Sequence, residues 1–188
     1  MVNFNAKTWY EDAYISVSQV GGSEVQMCSK TTTMEISGGN RDIEGINTFC
    51  GEVTRVTAQD DIEISFDGIP VSNADFDWIF HGVSNTSTSI TTSTAVKERV
   101  TMLWTDQTGI TAAGQAILTA SEAYRRIYAE SYCTKLEYSM DAGEHLVCSL
   151  GFKLAAEDAN GALNYKMECC DTTSALAAVG AYTASNKF

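Results

Sequence analysis

Apolar and polar residues alternate with a period of two along most of this chain, the pattern of strands with one buried face. The clearest alternation is Ile62-Glu63-Ile64-Ser65-Phe66, and residues 146–154 keep it strictly. Further strands are predicted within residues 25–36, 49–56, 100–104, 136–140 and 163–169. The pattern therefore predicts a mainly β protein.

Turn residues separate these segments. Gly38-Gly39-Asn40 predicts a turn, and Asp67-Gly68 is expected to end the strand that begins at Ile62. Turns at residues 141–144 and at Asp158-Ala159-Asn160-Gly161 predict two consecutive hairpins near the carboxyl end.

Four segments depart from the alternation. Residues 75–82 bunch Phe76, Ile79 and Phe80 ahead of Gly82, which predicts a short helix with a glycine stop. Residues 111–130 are rich in alanine and favour a helix, although a helix followed by a strand from Arg125 fits equally. The Ser/Thr-rich residues 84–94 predict a loop or extended arm, and residues 172–188 a tail poor in large apolar groups.

Length and composition indicate one globular domain over residues 1–188, with an N-terminal arm. The 188 residues are 44% hydrophobic and 19% charged, and a single proline occurs. No apolar run approaches the roughly 20 residues that span a bilayer, so no membrane association is predicted. The first residues lack a basic stretch followed by an apolar core, so we expect a protein made and kept in a cytosol.

Charge is the most distinctive property of the composition. The net charge is −12, and residues 1–94 carry 13 acidic and four basic residues against 11 and eight in residues 95–188. So acidic a surface repels phosphate backbones, which disfavours ordinary nucleic-acid binding but not the passage of DNA without adhesion. Adaptation to a salty host is a second explanation of the acidity.

No candidate catalytic, cofactor or metal site emerges. The two histidines, His81 and His145, have no nucleophile motif beside them, and no phosphate-binding glycine motif is present. The six cysteines have neither zinc spacing nor a pairing pattern, which predicts reduced thiols. The acids at residues 60–63 and Asp67 lack the ligand order of an EF-hand calcium loop. We therefore expect a protein that is not an enzyme.

The serial order of several fragments resembles the major tail tube proteins of long-tailed viruses of bacteria or archaea. The resemblance covers roughly residues 20–170 and is carried by these fragments: Gly38-Gly39-Asn40-Arg41-Asp42-Ile43-Glu44, Phe49-Cys50-Gly51-Glu52-Val53, an acidic strand, the helix of residues 76–80, Ala123-Tyr124-Arg125-Arg126, Cys133-Thr134-Lys135-Leu136, and residues 146–154.

This resemblance implies a β-sandwich or half-barrel with one flanking short helix. It implies that copies close into rings, expected to be hexameric, whose strands form a continuous inner β-barrel. Stacked rings would form the channel that delivers the genome, with a loop and a terminal arm gripping neighbouring rings. Glu35, Glu52, Asp61 and Glu63 lie on polar strand faces, so we expect them to line the channel, with an ordinary solvated face as the alternative.

The implied location is the tail of a virion, assembled in the host cytoplasm. The implied partners are further copies of the chain, the tape measure, the terminator, and baseplate or tip proteins, with genomic DNA passing transiently and unbound. Two alternatives stay open. One is the inner tube of a contractile injection machine or a tail completion or neck protein; the other is a ligand-binding β-sandwich.

Overall fold

The computed structural model describes residues 13–48, 51–71, 75–83 and 89–188. This part of the chain contains one helix, α1 (Asp75–His81), and ten strands: β1 (Ala13–Gln19), β2 (Val25–Gln26), β3 (Cys28–Gly38), β4 (Ile43–Thr48), β5 (Gly51–Val56), β6 (Ile62–Pro70), β7 (Glu98–Thr105), β8 (Ala123–Ser139), β9 (Val147–Leu154) and β10 (Tyr165–Cys170). Every strand pair is antiparallel. The expected mainly β fold with one short helix is confirmed.

Strand β8 organises the sheet because it belongs to two layers. Its first half pairs with β7 on one side and β10 on the other, while its second half pairs with β9. The β7 layer is thus β2-β1-β7-β8-β10, and the β9 layer is β8-β9-β6-β3. Only Met27 separates β2 from β3 at the two ends of this path, so the sheet curls back on itself as a half-barrel.

The main core lies between the two layers. It includes Phe66, Phe76 and Phe152, with Phe66 edge-on to Phe76 and stacked on Phe152. Phe76 places α1 against this core, and Gly82, at φ +62°, ends the helix as predicted. The Gly82 N–H donates to Ile79 O and the next N–H donates to Trp78 O, which is a Schellman motif.

All eight residues of β7 are buried, so the β7 layer is covered on its outer side as well. A second apolar cluster lies there, built from Leu103, Ala113, Ile117, Ala123 and Cys170. The covering segments are residues 106–122 and the carboxyl-terminal residues 171–188.

The helix favoured within residues 111–130 is wrong, whereas the strand expected from Arg125 is present as β8, which begins at Ala123. Ile117 exchanges backbone hydrogen bonds with Leu176, and Ala113 N donates to Ser16 Oγ at 2.8 Å. Contacts with distant segments therefore replace the local hydrogen bonds of a helix, which alanine propensity alone does not foresee.

Residues 172–188 form an irregular carboxyl-terminal segment, and it lies on the chain's own β7 layer. Tyr182 is fully buried, with its hydroxyl accepting from Glu130 N at 3.1 Å. Arg99 and Arg125 donate to the backbone oxygens of Gly180 and Ala177 at 2.8 and 2.7 Å. We call residues 171–188 the strap. Hydrogen bonds from the two arginines hold it together with the buried Tyr182, although the segment is poor in large apolar residues.

Two turn predictions need correction. Asp67-Gly68 does not end β6, because both residues pair with β3 and β9, opposite a register shift in β3 between Thr31 and Thr33. The Asn160-Gly161 turn exists, and an isolated antiparallel bridge joins Glu157 and Leu163 across it. The second hairpin does not extend into the sheet, because β10 pairs with the first half of β8 and not with β9. Strand β8 is 17 residues long and crosses from one layer to the other, so its first half can pair with β10 while its second half pairs with β9.

Strands β1 and β4 have no counterpart among the predicted strands. Strands β4 and β5 form a two-stranded sheet of their own, apart from the eight-stranded one. Ile43 and Val56 pair at the open end of this hairpin and are 70% and 55% exposed. The N-terminal arm and residues 84–88 of the Ser/Thr-rich loop lie outside the described residues, whereas residues 89–94 carry no regular structure. Within the described ranges, no helix is long and apolar enough to cross a bilayer.

Candidate functional site: the outer face of the β9 layer

The outer face of the β9 layer follows directly from the alternation in the sequence. In β6, Ile62, Ile64 and Phe66 are buried while Glu63 and Ser65 are exposed. In β9, Leu150, Phe152 and Leu154 are buried and Lys153 is exposed. Since successive side chains point to opposite sides of a strand, the polar set forms one continuous surface.

Strand register arranges this surface in rows across four strands. The three rows are Thr33–Asp67–Ser149–Glu137, Glu35–Ser65–Gly151–Lys135 and Ser37–Glu63–Lys153–Tyr132. Gly151 leaves room in the middle row for the Lys135 side chain, because a Cβ at position 151 would lie 3.0 Å from the Lys135 Cβ. We call these twelve residues, with the adjacent Asp61, the polar face.

Three of the four predicted channel residues meet on the polar face. Glu35 and Glu63 are exposed on adjacent strands, and Asp61 precedes β6 and is also exposed. Glu52 lies elsewhere, on β5 of the separate hairpin, where it pairs with Asn47. The structure therefore brings Glu35, Asp61 and Glu63 together and leaves Glu52 apart.

Two lysines on the polar face were not singled out from the sequence. Lys153 Nζ lies 3.1 Å from Glu63 Oε1 and 3.5 Å from Asp61 Oδ2, and the hydrogen bond to Glu63 raises the pKa of Lys153. Lys135 lies 3.0 Å from Glu137. The alternation in residues 146–154 places Lys153 on the polar side of its strand, so the same pattern could have predicted it on this surface. These exposed ion pairs stabilise little, but they neutralise part of the acidic charge.

Asp67 is the acid held most firmly in this surface. It accepts hydrogen bonds from the hydroxyls of Ser149 and Thr33, which lower its pKa. Asp67 consequently stays ionised at neutral pH. The polar face holds five carboxylates, on Glu35, Asp61, Glu63, Asp67 and Glu137, against two ammonium groups, so it remains net negative.

A cavity of about 570 Å³ lies on another side of the molecule, between α1 and the turn that joins β1 to β2. Its lining is mainly apolar and includes Val20, Trp78 and Ile79, together with Lys97. Lys97 is paired with Glu130. Across the described part of the chain, no group of three or more His, Cys, Asp or Glu side chains is arranged to hold a metal ion.

The sequence matches no protein-family model and no curated protein. Solved structures do match. The chain is similar to components of contractile injection systems. A chain of the extracellular injection system PVC, from its sheath/tube terminator in the extended state, is 14% identical over 89% of this chain and 98% of its own, with a TM-score of 0.49.

Two further solved structures match at similarly low sequence identity. A chain of the anti-feeding prophage tube-terminating cap is 15% identical over 89% of this chain and 93% of its own, with a TM-score of 0.46. Hcp1 from the E. coli EAEC 042 pathovar is 9% identical over 82% of this chain and 96% of its own, with a TM-score of 0.40.

Proposed function

We propose that this chain is a structural subunit that associates with copies of itself into stacked rings, with the polar face lining the channel of a tail-like tube. The observation that carries the proposal is the polar face itself: four strands wide, unbroken and net negative, on a sheet whose other side is the core. In a ring, such faces would join into a polar inner wall.

Unpaired strand edges supply a reason for association. Within the described residues, the path of strands ends at β2 and β3, and β10 has a partner on one side only. A free edge presents unpaired backbone donors and acceptors, which another copy can satisfy, and closure into a ring removes such edges. A head-to-tail contact of this kind closes into a ring if the rotation between copies allows it. Six copies is the number that we propose.

The β4–β5 hairpin offers a second contact. Its apolar pair, Ile43 and Val56, is largely exposed, and the hairpin stands outside the eight-stranded sheet that surrounds the core. In a stack of rings, a neighbouring copy would cover these side chains. The hairpin then takes the gripping role that the sequence suggested for the Ser/Thr-rich loop and the tail.

The charge of the polar face suits the passage of a polyanion. The carboxylates of Glu35 and Asp67 repel phosphate, while Lys153 and Lys135 are held by carboxylates of the same surface. DNA would therefore pass without stopping on basic groups. We propose genome delivery in a viral tail as the use of this channel, with the inner tube of a contractile injection machine as the alternative. Terminator and baseplate proteins would be partners in either case, and a sheath in a contractile machine.

Electron microscopy of the purified protein tests assembly. We expect rings or tubes in negative stain at raised protein concentration. A particle that remains a 20.3 kDa monomer by light scattering up to near-millimolar concentration contradicts the proposal.

Cysteine accessibility tests which face lines the channel. In a Cys169→Ser background, which removes an exposed thiol, Ser65→Cys places a thiol on the polar face. Leu118→Cys, at a residue 65% exposed in the segment that covers the β7 layer, is the matched control. In assembled tubes, a small maleimide should label both variants, whereas a long polymer maleimide should label only Leu118→Cys. In the unassembled protein, both reagents should label both variants. Polymer labelling of Ser65→Cys in tubes would place the polar face outside.

A further inference from the structure

Glu98 is a carboxylic acid buried at the place where the two layers meet. It is the first residue of β7 and is completely inaccessible to solvent. Neither of its carboxyl oxygens has a partner in ordinary hydrogen-bonding geometry among the described residues, although the Gln19 side chain and the Cys133 backbone are near enough to interact with it. A buried carboxylate without partners is among the most costly arrangements in a protein interior, so the neutral acid is the form that fits this site.

The groups around Glu98 offer no compensating positive charge. Burial is the largest effect on Glu98 and raises its pKa to about 8. The Gln19 side chain on β1 and the Cys133 backbone on β8 face the carboxyl group and lower this pKa by a smaller amount. The Cys133 thiol has its own pKa raised to about 12 by burial and by Glu98, so it is also neutral. The flanking cations are engaged elsewhere: Lys97 pairs with Glu130, and Arg99 donates to Gly180 O.

The backbone around Glu98 departs from regular strand geometry at two points, a register shift and a residue with positive φ. Glu98 pairs with Ser131, the pairing shifts register before Val100, and Ser131 Oγ donates to Glu98 O at 2.8 Å. The neighbouring Glu130 has φ 58°, the only positive value at a non-glycine residue in the described part of the chain. From Tyr132 onward β8 pairs with β9 instead of β7. Glu98 thus lies beneath the bend that joins the layers.

We propose that Glu98 is a proton-operated lock on this bend: the crossing of β8 between the layers closes over the neutral acid, and loss of the proton, which buries an uncompensated charge there, loosens the crossing. The lock is independent of any role in a tube. Its direction follows from linkage. The unfolded chain ionises Glu98 near pH 4.5, whereas the folded chain holds the proton until about pH 8. The stabilising effect of the neutral acid is complete below about pH 4.5 and is lost as the pH rises towards 8.

Unfolding by urea at pH 6, 7 and 8 tests the lock in the intact protein. For one proton bound in the folded state only, the unfolding equilibrium constant rises up to about tenfold per pH unit. We expect the wild type to show this rise in excess of Glu98→Gln, which has no proton to lose. Glu137→Gln, on the exposed part of the same strand as the bend, is the matched control and should follow the wild type. Equal pH dependence in the wild type and Glu98→Gln overturns the proposal.

Two measurements on the wild type keep the test decisive if Glu98→Gln folds poorly. Infrared spectroscopy should detect a protonated carboxylic acid at pH 6.5 that disappears by pH 9.5. Hydrogen exchange, corrected for its intrinsic pH dependence, should show protection at residues 130–133 falling before that of the rest of β8 and β9. A carboxyl spectrum that is fully ionised at pH 6.5, or protection that falls uniformly, contradicts the lock.

Discussion

Arg125 offers the sharpest test of how the outer side of the β7 layer is held together. Its guanidinium is buried and ties three segments to β8. It donates to Glu168 on β10 through Nε at 2.7 Å, to Gln115 O in the covering loop at 3.0 Å, and to Ala177 O in the strap at 2.7 Å. We consider Arg125→Met, which keeps much of the side-chain length and removes every donor.

The expected loss of stability follows from these contacts. Glu168 keeps a partner, since Lys166 Nζ lies 2.7 Å from it, but the two backbone oxygens lose a charged donor. Breaking a buried ion pair on one side costs about 3–5 kcal/mol, and hydrogen bonds from charged groups are worth about 1.5–3 kcal/mol each without being additive. We therefore expect the free energy of unfolding to fall by about 4 kcal/mol. For a domain of this size that lowers Tm by roughly 8–16 °C.

Calorimetry and urea unfolding measure the loss, with Arg126→Met as the control. Arg126 is the next residue and points to the other side of the sheet, where it contacts the hydroxyls of Tyr124 and Tyr128 and is only half-buried. Its replacement should cost less than that of Arg125, about 1.5–3 kcal/mol, the worth of a hydrogen bond from a charged group. Limited proteolysis should also cut Arg125→Met within the strap first. If Arg125→Met lies within about 1 kcal/mol of the wild type, the strap is not held by this guanidinium.

Three other expectations follow from the structure. Tyr182→Ala should destabilise the fold by about 3–5 kcal/mol in urea unfolding, because it empties a fully buried site; an unchanged midpoint would mean that the strap is dispensable. Gly82→Ala should lower Tm, because the new Cβ would lie 1.9 Å from a backbone oxygen. The same change at Gly109, which has open space around it, should cost only about 1 kcal/mol of backbone strain. Equal effects of the two substitutions on Tm would contradict this account. In alkylation at pH 8 followed by mass spectrometry, exposed Cys169 should react long before Cys28, whose pKa burial raises to about 12, and simultaneous labelling would contradict the burial.

Sequence patterning predicted the β9 layer well because one of its faces is buried and the other is not. Glu35, Asp61 and Glu63 came out on one surface for that reason. The ion pairs that Asp61 and Glu63 form with Lys153 were not predicted, because the register between strands distant in sequence decides which charges meet. Glu52 alternates like the others, yet it sits on a separate hairpin, because alternation does not say which sheet a strand joins.

The β7 layer was harder to foresee for a related reason. Strand β7 is buried on both sides because residues 106–122 and the strap cover it, and the strap is held by arginines that donate to its backbone oxygens. Backbone oxygens leave no trace in the side-chain pattern of residues 171–188. In the same way, Asp67-Gly68 has the composition of a turn, and only its two flanking strands keep it extended.

Strand β8 has a mechanical consequence. Because its 17 residues run without a break through both layers, neither layer can detach from the other by sliding or peeling alone. Tension applied to β9 would pass through the β8–β9 hydrogen bonds into the backbone of β8 and from there through the β7–β8 hydrogen bonds to β7. The molecule should accordingly yield as one unit under force, with a single rupture event in a single-molecule pulling experiment.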